Sequence, residues 1–183
     1  MASSSSITLS TNFYLNSFYR ANTGAYKKAG RSELTKAELA YEDSRALRRA
    51  VKTLSSNDYS NDDSEKNIKN SITAFATTYN NALSSGEGSS ELARYSKQLK
   101  KIIQDHKDEL EDVGIKVSED GSLSVSESLL TSASMDTLKS VFSSDSSDIL
   151  SSTKRVSRNM FRQAYDSIYT QMTGNGGRIN VIL

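Results

Sequence analysis

The sequence predicts a mainly α-helical protein: an elongated antiparallel helical bundle or coiled coil carrying one small β-hairpin. Three observations predict it. Apolar residues recur at threes and fours along several long stretches, the spacing of one helix face. No proline stands anywhere among the 183 residues, so nothing interrupts those stretches from inside. One short segment instead alternates apolar and polar residues around an Asp-Gly pair.

The first convincing helix is predicted from about Ser32 to Leu54. Thr35 and Glu38 have capping-box spacing, in which each side chain satisfies a backbone N–H of the first turn. Ala37, Ala40, Tyr41, Ser44, Leu47, Val51 and Leu54 form its stripe at near-heptad spacing. A second helix runs from about Asp62 to Leu83. Its opening acids, Asp62, Asp63 and Glu65, suit the positive end of a helix dipole, a simpler account than a metal site. Ile68, Ile72, Phe75, Ala76, Tyr79 and Leu83 give it one apolar face, and residues 84–90, with Gly86 and Gly88, read as a flexible break. The third helix is predicted as one piece over about 90–113, with Leu92, Tyr95, Leu99, Ile102, Ile103, Leu110 and Val113 inward and His106 beside that stripe.

Gly114 closes this helix. Ile115–Ser118 and Leu123–Val125 alternate around Asp120-Gly121, a hairpin pattern. Asp-Gly also suits a calcium loop, but the ladder of carboxylates such a loop needs is missing. Two short helices follow, with Ser126 and Ser134 as N-caps and Leu129, Leu130, Leu138, Val141 and Phe142 as their buried side, and then the longest helix, about Ser146 to Thr173, with Ile149, Thr153, Val156, Met160, Ala164, Ser167 or Ile168, and Gln171 or Met172 on its stripe. The spacing predicts that this helix packs along the one at 35–54.

Both ends are apolar without a helix stripe of their own. Residues 1–31 read as a flexible arm bearing Phe13, Tyr14, Phe18 and Tyr19, which either packs on its own core or orders against a neighbouring subunit. Residues 174–183 read as a tail whose Ile179, Val181, Ile182 and Leu183 form an edge strand or a plug for another subunit.

Composition narrows the chemistry. Hydrophobic residues make up 36%, which suits a thin core. Twenty-three basic and 22 acidic side chains give a net charge of +1, so no nucleic-acid partner is expected. The one basic cluster, Arg45, Arg48 and Arg49, shares its helix with Glu38, Glu42 and Asp43, and reads as a solvated, salt-bridged face. Cysteine is absent and there is one histidine, which leaves no thiolate, no disulfide and no obvious nucleophile–base pair. No apolar run is long enough to span a bilayer, and residues 1–10 lack the pattern of a cleaved signal. No cofactor and no catalysis are expected.

A resemblance adds to this reading. Ile72-Thr-Ala-Phe75 with Tyr79-Asn80, then Leu110, Gly114-Ile115, Asp120-Gly121, Leu123, Val125, Leu129-Leu130, Ala133 and Val141-Phe142, followed by a long last helix, resemble in order and spacing the C-terminal half of the flagellar filament-cap family of hook-associated proteins. The resemblance covers somewhat over half the chain. Family members usually carry β-rich outer domains for which there is no room here, and the first 60 residues show no match. It implies a structural protein that assembles with itself and with flagellar axial proteins, leaves the cell through the flagellar export channel without a cleaved signal, and works extracellularly. The assembly candidates are then the two ends together with Leu47, Val51, Leu54, Val156, Met160 and Ile168. The alternative is a cytosolic helical adaptor or export chaperone that binds a partner helix in a groove.

Overall fold

The computed structural model describes residues 8–143 and 147–174, and within them the fold is mainly helical with one two-stranded antiparallel sheet. In chain order the elements are α1 (Thr11–Phe18), a 3₁₀ turn (Thr23–Tyr26), α2 (Lys28–Arg31), α3 (Lys36–Ser55), a second 3₁₀ turn (Asp62–Ser64), α4 (Glu65–Glu87), α5 (Ala93–Asp105), α6 (Lys107–Asp112), β1 (Ile115–Val117), β2 (Leu123–Val125), α7 (Glu127–Ser132), α8 (Met135–Phe142) and α9 (Asp148–Gly174).

The four long helices form the core. Around the bundle, α3 touches α4, α4 touches α5, α5 touches α9, and α9 returns to α3. Neighbours run antiparallel. Tyr41 near the start of α3 stacks on Phe161 late in α9, and beyond the other end of α3 the Tyr59 hydroxyl donates to Phe142 O, just before α9 begins. Likewise Arg94, at the start of α5, donates to Gln163 late in α9. The stripes predicted for α3 and α9 supply this core: Leu47, Val51, Leu54, Val156, Met160 and Ala164 are all buried.

Local chemistry sets the element ends. Thr35 and Glu38 form the capping box, each bonding the other's backbone N–H. Ser134 accepts from Thr137 N, whereas the Ser126 hydroxyl bonds Ser128 instead of capping α7. Gly114 sits at φ +79°, and a Cβ there would lie 2.6 Å from Leu130 N, so the turn into β1 admits only glycine.

The hairpin pairs Ile115 with Val125 and Val117 with Leu123. It is fastened to α4 by the residues of the Tyr-Asn pair. Asn80 donates to Leu123 O and accepts from Leu123 N, at 2.7 and 2.8 Å, so a side-chain amide extends the ladder like a third strand. The Tyr79 hydroxyl donates to Gly121 O.

Four expectations are corrected. Residues 84–90 are not a break: α4 continues to Glu87. Gly86 is there because the bundle closes on it; a Cβ would come 2.9 Å from Met160 Cε and collide with Ser96 Oγ. The helix over 90–113 is two helices, separated at His106, whose backbone leaves helical geometry while its ring pairs with Glu109. Asp43 is not on a solvated face but fully buried.

The fourth concerns the arm, whose described part is not flexible and, of the two alternatives, takes packing on its own core. Residues 8–31 fold onto the chain's own core, with α1 against α3 and α4. Leu9 exchanges backbone hydrogen bonds with the Asn67 and Asn70 side chains. Tyr14, Phe18 and Tyr19 are buried. Phe18 and Tyr19 belong to the apolar core itself, and a side chain already covered by its own chain is not free to order against a neighbour.

Candidate assembly surface

The described residues hold no cluster of three histidine, acidic or cysteine side chains able to bind a metal, and no helix among them is long and apolar enough to cross a membrane. A depression of about 630 Å³ lies open between the start of α4 and α7 and is lined by both signs of charge. Its one well-buried cation, Lys69, is taken up by Glu65 and by Thr131 O. His106 sits at the surface end of α5 with Glu109 as its partner, and no hydroxyl nucleophile is bonded to it.

What the surface offers is apolar side chains in unusual places. Among the described residues four large hydrophobics are exposed: Phe13, Leu129, Tyr165 and Tyr169. Tyr165 and Tyr169 belong to a second stripe of α9. Phe161, Tyr165, Ile168, Tyr169 and Met172 recur at fours and threes beside the buried stripe, so this helix is apolar on two faces. The second face begins at the seam with α3. There Tyr41 lies 4.8 Å from Phe161, ring on ring, and 6.3 Å from Tyr165. Arg45 sits over Tyr41 and Arg48 over Phe161, at 5.7 and 5.2 Å from the ring centres.

The seam is also basic. From Ser44 to Ser55, α3 carries Arg45, Arg48, Arg49 and Lys52 and no acid; from Ile149 to Tyr165, α9 carries Lys154, Arg155, Arg158 and Arg162 and no acid. Antiparallel packing lays these two segments side by side. Arg49 turns aside to donate to Phe18 O. The four cations of α9 point to solvent, and none lies within 4 Å of a carboxylate among the described residues. Glu42, on the α3 side of the seam, is mostly buried. Burial raises its pKa above the ordinary value, opposed by Arg45 and Arg49, and its Oε2 has no hydrogen-bond partner.

The assembly candidates named from sequence are thus divided. Tyr14, Phe18, Tyr19, Leu47, Val51, Leu54, Val156 and Met160 are core. Phe13 and Ile168 reach the surface, Ile168 within the aromatic stripe. Ile179, Val181, Ile182 and Leu183 lie outside the described residues. Missed were Tyr41, Phe161, Tyr165 and Tyr169, although the second periodicity of α9 was there to be read.

No family model, curated protein or solved structure matches the chain.

Proposed function

We propose that the protein is a structural, self-assembling component of the bacterial flagellar axis, of filament-cap or hook-associated type, working outside the cell. The observation that carries the reading is the junction of α4 with the hairpin. The residues of the resemblance are not scattered: Tyr79 and Asn80 grip Gly121 and Leu123, Phe75 packs edge-on against Phe142, and Gly114 makes the turn that starts β1. They form one connected unit, as residues that define a family's architecture do. The exposed aromatic face of α9 supports the assembly part, since a row of tyrosines and arginines is what protein interfaces are enriched in.

The test is location. Filaments sheared from the source cells should carry the protein, as detected with an antibody, and disruption of flagellar export should leave it inside. Recovery from the cytosol alone, with filaments free of it, would favour the adaptor or export-chaperone reading.

A further inference from the structure

We propose that copies join head to tail, the tyrosine–arginine face of α9 in one copy seating on the groove between α6 and α7 of the next. The inference rests on the reading of the protein as self-assembling and names the two surfaces that would meet.

The charges of this nearly neutral chain are sorted. Residues 105–143, which span α6, the hairpin, α7 and α8, hold nine acids and three lysines, a net of −6. The facing segments of α3 and α9 hold eight cations and no acid. Many of the acids are at the surface: Asp108, Glu111, Asp112, Glu119 and Glu127 are all exposed. Potentials of opposite sign on two patches of one molecule attract a second copy and fix its orientation.

The apolar features agree. A depression of about 310 Å³, lined by Glu111, Gly114, Lys116, Ser126 and Leu129, opens within the acidic region, and Leu129 stands 56% exposed beside it. It is the one large hydrophobic of that region left uncovered. Tyr165 and Tyr169, at 53% and 56%, are its counterparts on the basic face. Arg158 and Arg162 precede Tyr165 by seven and three residues and so share its side of α9. A tyrosine entering the Leu129 groove brings these guanidiniums to the acids on its rim. A polyanion fits less well: it meets the negative region of the same molecule, and an apolar groove offers a phosphate nothing.

Because the two patches differ, the contact is heterologous. Repeated, it builds a ring if the rotation closes and an open filament if it does not.

Sedimentation velocity tests this. The full chain should associate at low ionic strength and dissociate at about 1 M salt, where the screening length falls to ~3 Å. Arg158→Glu with Arg162→Glu should abolish association, as should Glu111→Lys with Asp112→Lys; both pairs are exposed, and unchanged melting would show the fold intact. Mixing the two variants should restore it, because one still has the groove and the other still has the basic face. Leu129→Ser, which alters no charge, should weaken it about tenfold or more. Association indifferent to these changes, or a mixture that stays monomeric, overturns the head-to-tail contact and leaves self-assembly standing. A wild type that is monomeric under every condition overturns both, as does one that stays monomeric while binding heparin.

Discussion

Asp43 is a carboxylate with no exposure to water, and two residues from the first 31, Arg31 and Tyr19, are bonded to it. Arg31 meets it with both terminal nitrogens, at 2.8 and 2.9 Å, while also donating to Ala25 O; the Tyr19 hydroxyl adds a third bond at 2.7 Å and itself accepts from Asn81. Burial, followed by the charge of Asp43, raises the Tyr19 pKa well above that of a free phenol, so the hydroxyl stays a donor. Removing one member of a buried pair strands the other. Asp43→Ala should therefore lower stability by about 3–5 kcal/mol in urea unfolding; an effect under about 1 kcal/mol would mean that water reaches Arg31 in its place. Glu42, one residue earlier, has the opposite character. Its folded-state pKa is raised, so its contribution is most favourable below the ordinary carboxylate pKa and declines as pH rises through the folded value. At neutral pH the charge is held where it is poorly solvated. Glu42→Gln should raise stability at pH 7 by about 1 kcal/mol, with the gain shrinking toward about pH 4. A gain independent of pH would assign the effect to packing.

At the scale of elements, what can be read in the sequence is what is written locally. The start of α3 was legible because Thr35 and Glu38 cap it within one turn, and the hairpin because Gly121 supplies a positive φ at the turn itself. The pairing of α3 with α9 was legible from two long stripes. What depends on a distant partner was not. Tyr19 finds Asp43 24 residues on and Asn81 62 residues on, so an aromatic cluster without periodicity looked like an arm. The break at His106 has neither glycine nor proline to mark it, and Gly86 looked like a loop residue because its neighbours Ser96 and Met160 come from other helices. The candidate surface is half legible: the spacing puts Ile168 at the buried stripe, while Tyr165 and Tyr169 belong to a second face of α9 that a single-stripe pattern does not contain. The docking of the first segment gives a direct expectation. Deleting residues 1–20 removes Tyr14, Leu15, Phe18 and Tyr19 from the core and leaves Asp43 and Asn81 each short of a partner, so the melting temperature should fall by ten degrees or more, on the order of 2–4 °C per kcal/mol for a chain of this size. A variant that melts as the full chain does would restore the picture of a dispensable arm.

At the scale of the whole molecule, the wall of the bundle formed by α3 and α9 joins the first long helix to the last, with almost a hundred residues between them. This has a consequence for how the chain can be delivered. A polypeptide emerging or threaded N-terminus first presents the Leu47–Val51–Leu54 stripe of α3 long before its cover arrives, and closing so long a loop is an entropic cost met only once the last helix is present. Until then α3 and α4 are amphipathic helices with a wet apolar side, the kind of surface that aggregates or is held by a chaperone. A chain ending at residue 147 should accordingly stay helical in part, bind a hydrophobic dye and lack a sharp melting transition, and adding a synthetic peptide of residues 148–174 should bring the transition back. Of the four helices that close the bundle, the one that completes the core is the last to emerge.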